Sequence, residues 1–195
     1  MKKLFEKFTL YELVICTVIA TLGLALKQII APLATIMAGP FMIPKGALAG
    51  GLYMMWLIIG YGIVRKPGTA LIIGLVQALL VMFTGIIGSH GILSLFTYLA
   101  PGLAVEVVML LIRHRACCLP CCVVGGMAAN VAGVAAVNAV IFRVPGVYLI
   151  LVLAVGALSG MAGGWIAHKV IRIFETTRWM PRGQSGGERN PWKIK

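Results

Sequence analysis

Six apolar stretches, each about long enough to cross a bilayer, leave this chain few ways to fold. They cover roughly residues 10–30, 46–64, 69–87, 92–112, 118–141 and 147–168. A spanning helix needs about 20 mostly apolar residues, and helices satisfy every backbone group internally, as lipid demands. The breaks are short: Pro40-Phe41-Met42-Ile43-Pro44-Lys45, Arg65-Lys66-Pro67-Gly68, Gly88-Ser89-His90-Gly91, Arg113-His114-Arg115 and Arg143-Val144-Pro145-Gly146. Pro67 suits a helix's first turn, where its missing N–H costs nothing. The pattern predicts an all-α polytopic bundle of six transmembrane helices over residues 1–170, followed by a basic tail over 171–195. The first stretch is too long for a cleaved signal peptide and ends in no clean A-x-A-type site.

Composition excludes the soluble alternatives. Hydrophobic residues make up 61% of the 195 and charged residues 11%, against roughly a quarter charged in ordinary soluble domains. Five acidic residues face 17 Lys and Arg, a net charge of +12. The apolar bulk argues against nucleic acid as the reason for that excess. The placement of the positive charge reports orientation instead, because Lys and Arg are retained on the cytoplasmic side. Lys2, Lys3, Lys7, Arg65, Lys66, Arg113, Arg115 and the tail residues Lys169, Arg172, Arg178, Arg182, Arg189, Lys193 and Lys195 share one side of a six-span arrangement. Only Lys27, Lys45 and Arg143 fall on the other. Both termini are therefore expected in the cytoplasm.

Small residues mark where helices can approach. Gly156, Gly160 and Gly164 lie four apart in the sixth span beside Ser159, Gly163 and Ala167, and the fifth carries Gly125, Ala129 and Gly133. The first span holds Cys16 and Ala20, and Thr17, Thr21 and Ala25, at the same spacing. The apolar segment 28–45, broken by Pro32, Gly39, Pro40 and Pro44, is expected to be a long outer loop, either a lid or a re-entrant plug.

Ionisable groups inside a span mark a site or a buried pair. Glu106 shares one face of the fourth span with Tyr98 and Gly102. It is either a ligand contact or a structural partner of Gln77 or a backbone donor. Glu12 lies near the inner edge, within reach of solvent. Asn130 and Asn138, eight apart with Gly126 leading the row, either join helices or bind a polar ligand. Tyr53, Trp56 and His90 are further candidates for ligand contact, with interfacial anchoring as the alternative. Trp165 and His168 read as anchors. Cys117, Cys118, Cys121 and Cys122 flank Leu119-Pro120, a C-x-x-C that could hold metal or cycle redox state. One cluster without a second pair or histidines is a poor zinc site, and an inner-leaflet position is reducing, so small buried thiols are expected there. The chain carries no Walker P-loop, no G-x-S-x-G and no H-E-x-x-H. No resident metal or cofactor is implied.

Ile63-Val64-Arg65-Lys66-Pro67-Gly68-Thr69-Ala70, Gly85 and Gly88 closing the third span, and Pro101-Gly102-Leu103-Ala104-Val105-Glu106 in the fourth carry a resemblance. Together with six short spans and an apolar first loop, they resemble the substrate-binding S component of an energy-coupling factor (ECF) transporter, over about residues 10–170. More narrowly, they are similar to the hydroxymethylpyrimidine/thiamine-type family. The third span has Gln77 where the family has Glu, and the fourth has Pro101-Gly102 where the family has Gln-Gly. The resemblance implies a vitamin importer in the bacterial cytoplasmic membrane, driven by a transmembrane coupling protein and two cytosolic ATPases. It places the coupling-protein contact on Cys16, Ala20, Thr17, Thr21 and Ala25. It makes Glu106 a charge-assisted partner of an aminopyrimidine or cationic group, with Asn130 and Asn138 on ring nitrogens and Trp56, Tyr53 or Tyr98 stacking on the ring. Competing readings are a stand-alone carrier coupled to protons through Glu106, a redox protein or enzyme using Cys117–Cys122, and a non-transporting assembly protein. Epitope tags at residues 1 and 195 should both resist protease added to intact cells and both be cleaved in inverted vesicles; opposite results at the two ends would break the six-span topology.

Overall fold

In the computed structural model, which describes residues 8–41, 44–85, 93–113, 116, 118–142 and 145–176, every regular element is helical. The elements are α1 (Leu10–Ala38), a 3-10 turn (Gly39–Phe41), α2 (Lys45–Val64), α3 (Thr69–Thr84), α4 (Leu93–Ile112), α5 (Leu119–Val137), a π turn (Asn138–Phe142) and α6 (Gly146–Thr176). Five of the helices are long and apolar enough to cross a membrane, and α3 is a shorter apolar helix. Its 16 residues span about 24 Å.

Two boundaries depart from expectation. α1 does not stop near residue 30 but continues through Pro32 to Ala38. The lid or plug expected over 28–45 is thus largely helix. The buried series Cys16, Ala20, Gly23, Ala31, Ala34, Ala38 keeps one face toward the bundle on both sides of the proline. Proline removes one backbone bond, a loss that transmembrane helices tolerate. At its other end, α6 runs to Thr176, past the expected limit at 168; residues 177–195 of the tail lie outside the described residues.

α2 is the axis of the bundle, packing against α1, α3, α4, α5 and α6. Around it, α1 meets α3, α3 meets α4, α4 meets α5 and α5 meets α6. Lipid offers no hydrophobic pull between helices, so close backbone contact and polar clasps must supply it. On α6 the two expected small-residue ridges serve two neighbours. Side-chain atoms built at Gly160 and Gly164 would collide with the backbone of Gly126 and Cys122 on α5, and one at Gly163 with that of Gly51 on α2. The α5 partner ridge is Cys122-Gly126 rather than the expected Gly125-Ala129-Gly133; Gly125 instead faces Met109 and Ile58. Ser159 Oγ donates to Leu48 O at 2.5 Å and accepts from Gly51 N–H at 3.0 Å.

One end of the bundle is basic and tied by ions. Thr9 and Glu12 form a capping box at the start of α1. Glu12, expected near the inner edge within reach of solvent, is 6% exposed and accepts from Lys66 Nζ at 2.8 Å. The α2–α3 turn brings Lys66 to it, because Arg65 takes a left-handed conformation at the end of α2 (φ 56°). Arg65 pairs with Glu175 of α6, which Arg172 also reaches at 3.2 Å. The first turn of α1 and the last turn of α6 thereby share one end, as six spans require.

Gly160→Val should drive α5 and α6 apart and cost about 1–3 kcal/mol, seen as a lower melting temperature in detergent. Gly46→Ala, at a site with nothing within 4 Å, should leave the melting temperature unchanged or raise it.

Candidate functional site

Away from the basic end, α1, α2, α3 and α4 enclose a small cavity of about 20 Å³ lined by Gly23, Leu24, Lys27, Tyr53, Met54, Leu57, Gln77, Tyr98 and Pro101. That is room for roughly one water molecule, so the side chains must part to admit anything larger. At 1.5 Å per residue, Tyr53 and Tyr98 lie about 12 and 8 Å from the distal ends of their helices, and Gln77 about 10 Å.

Lys27 is the central group. Its helix runs on to Ala38, so it sits about 17 Å from the distal end of α1 rather than at the membrane edge. Lys27 Nζ donates to Tyr98 Oη at 2.5 Å. It also lies 4.5 Å from the centre of the Tyr98 ring and 5.5 Å from that of Tyr53. Two buried polar atoms nearby, Tyr53 Oη and Trp56 Nε1, have no hydrogen-bond partner among the described residues. Buried donors left unpaired cost about 1–3 kcal/mol each, a cost that an incoming acceptor would remove. Gln77 Nε2 makes a long bond of 3.5 Å to Ala20 O. Gly23 leaves room for both Gln77 and Trp56: a side-chain atom there would lie 2.9 Å from Gln77 Nε2 and 3.0 Å from the Trp56 ring.

Of the residues singled out in the sequence, Tyr53 and Tyr98 meet in this cavity and Trp56 lies beside it. Glu106 does not line it. It is 5% exposed, and its Oε1 accepts Ala70 N–H at 2.8 Å, with the N–H groups of Gly68 and Leu71 alongside. α3 has no side-chain cap of its own, and a carboxylate at a helix N-terminus meets both its unpaired donors and its dipole. Gly102 permits the approach, since a side-chain atom there would lie 2.9 Å from Ala70 O. The Arg-Lys-Pro-Gly turn and the downstream Glu are therefore two halves of one helix-capping contact at the basic end.

Asn130 also faces backbone. Its Nδ2 donates to Gly156 O at 2.7 Å and to Ala47 O at 3.4 Å, joining α5 to α6 and α2. Asn138 opens the π turn and does not line the cavity, and His90 lies outside the described residues. Cys16 and Ala20 are wholly buried within the chain, leaving Thr17, Thr21 and Ala25 on the exposed face of α1. The hydroxyls of Thr17 and Thr21 are returned to Leu13 O and Thr17 O of their own helix.

The cysteines differ from expectation in one respect. Cys118 and Cys121 are joined in a disulfide, their Cα atoms 5.4 Å apart across the first turn of α5. Cys122 is the expected buried thiol, 3.9 Å from His168 Nδ1; Cys117 lies outside the described residues. No three His, Cys, Asp or Glu side chains converge among the described residues.

Sequence reasoning missed Lys27, Gly23 and Gln77 as a group. A cation inside an apolar run was the available signal, but ending the first span near residue 30 placed Lys27 at the interface.

No curated protein matches the chain. A crystal structure described as an S-component of an ECF transporter is similar in fold, with a TM-score of 0.76 and 24% identity over 91% of this chain and 92% of that one. The family model described as "ABC-type cobalt transport system, permease component" matches residues 11–132. The chain is thus a multi-pass membrane transport subunit with the S-component fold, and it belongs to the family of ABC-type cobalt transport system permease components.

Proposed function

We propose that this chain is the substrate-binding S component of an ECF-type importer, capturing a small heteroaromatic vitamin or vitamin precursor, hydroxymethylpyrimidine or thiamine, from the outer face. The observation that carries this reading is the distal cavity, where Lys27, Gln77 and two tyrosines converge beside two buried donors without partners among the described residues. Such a site offers ring faces for stacking and donors for ring nitrogens or a hydroxyl. The basic end faces the cytoplasm, following the distribution of Lys and Arg, so the cavity lies in the outer half of the membrane. A transmembrane coupling protein docks on the α1 face carrying Thr17, Thr21 and Ala25, and two cytosolic ATPases supply the energy.

The family's description names cobalt, which makes the divalent ion a second substrate reading. The donor set favours the organic one. Divalent cobalt takes imidazole, thiolate or carboxylate ligands, whereas the described residues of the cavity present an ammonium, an amide and two phenols.

Liposomes holding the chain with its coupling protein and ATPases should accumulate labelled hydroxymethylpyrimidine or thiamine when ATP is enclosed on the ATPase side, and liposomes holding the chain alone should not. Uptake by the chain alone would favour a self-sufficient carrier, and ATP-dependent uptake of ⁵⁷Co²⁺ without either vitamin would favour the metal. Glu106 acts here as the cap of α3. Glu106→Ala should therefore lower stability by about 1–3 kcal/mol, with Glu106→Gln intermediate. In a binding titration both variants should keep their affinity for substrate within about twofold; a large loss of affinity in a stably folded Glu106→Gln protein would return this residue to the site.

A further inference from the structure

We propose that Lys27 sets the charge selectivity of the cavity, admitting an uncharged or anionic pyrimidine and rejecting a ligand that carries a permanent positive charge. The inference rests on the functional reading above and chooses between its two vitamins.

The first support is an accounting of carboxylates. The chain has five acidic residues, all Glu. Glu12 is held by Lys66, Glu175 by Arg65 and Arg172, and Glu106 by the first turn of α3. Glu6 and Glu188 lie outside the described residues. Among the described residues, then, no carboxylate neutralises Lys27, although it lies well inside the membrane-spanning part of α1. An intramembrane cation without an internal counter-charge favours a partner brought by the ligand.

The second support is geometric. Stacked or caged aromatic rings are how proteins hold organic cations. Here both rings already face a cation of the chain itself, with Lys27 Nζ 4.5 Å from the Tyr98 ring and 5.5 Å from that of Tyr53. A thiazolium entering the cavity would meet an ammonium where it needs electron density. At an effective dielectric near 20, two unit charges about 6 Å apart repel enough to cost about 100-fold in affinity.

The remaining groups point the same way. An ammonium has three donors and no acceptor, and only one is directed at Tyr98 Oη. Tyr53 Oη and Trp56 Nε1 add buried groups without partners among the described residues. A cluster so rich in donors matches ring nitrogens, a hydroxyl, or a phosphate or carboxylate oxygen. It offers little to a group that is itself cationic.

The test is a tryptophan-fluorescence titration of the detergent-purified full chain with probes of each charge: thiamine, 4-amino-5-hydroxymethyl-2-methylpyrimidine, its phosphate ester, and biotin as a carboxylate without a pyrimidine. The wild type should bind the neutral and phosphorylated pyrimidines about 100-fold more tightly than thiamine. Lys27→Met should reduce that ratio to about tenfold or less, and Lys27→Arg should retain it, with melting temperatures confirming that each variant is folded. Lys27→Gln serves if the Met variant does not fold. Thiamine binding the wild type as tightly as the neutral pyrimidine, or a ratio unmoved in a folded Lys27→Met protein, would overturn the proposal. Should no pyrimidine bind, the vitamin assignment fails separately. Lys27-dependent binding of biotin would then uphold the charge rule, and absence of any Lys27-dependent binding would defeat it.

Discussion

Backbone-to-backbone contact along α6 is the constraint on which this bundle depends. Apolar side chains face lipid as comfortably as they face each other, so burial alone cannot choose one helix arrangement over another. The choice is made where no side chain intervenes. Gly160 and Gly164 meet Gly126 and Cys122 on α5, and Gly163 meets Gly51 on α2. Asn130 and Ser159 then fasten the same three helices through carbonyls at Ala47, Gly156 and Leu48. This unit leaves α1, α3 and α4 to close the other side of α2, where the cavity forms.

The two ends of the molecule divide the polar work. At the basic end, all three described carboxylates are committed to structure: Glu12 to Lys66, Glu175 to two arginines, and Glu106 to the N-terminus of α3. This fastens the turn between α2 and α3 to both terminal helices. Toward the distal end the described polar atoms around the cavity are less fully paired. Such incomplete satisfaction is costly in a low-dielectric interior. Because the described carboxylates are all used at one end, the cavity is left with a net donor and cationic character.

Much of the framework was legible in the chain. Six spans, their approximate limits and their alternating charge followed from runs of apolar residues, because the thickness of the bilayer imposes a length. The glycine ridge on α6 was equally plain, since four-residue spacing places small residues on one face. Pro32 misled, because with Gly39, Pro40 and Pro44 it reads as a break in an apolar loop over 28–45. The buried series through Ala31, Ala34 and Ala38 carried the correct helical period across it. That boundary error displaced Lys27 from the interior to the surface, and with it the most informative residue of the cavity.

The sequence by itself determined that the chain is a membrane-embedded helical bundle, how many helices it has and which loops share a side, because hydrocarbon thickness and the cost of charge in lipid act on local composition. Only the tertiary structure decided which polar residues are tied to backbone groups of neighbouring helices and which are not. Glu106, Asn130, Tyr53 and Lys27 are all polar groups in apolar helices, alike in kind when read along the chain. They separate only when neighbouring helices bring, or fail to bring, a backbone partner within hydrogen-bond reach: among the described residues Glu106 and Asn130 find one, while Tyr53 Oη does not and Lys27 finds only a tyrosine hydroxyl.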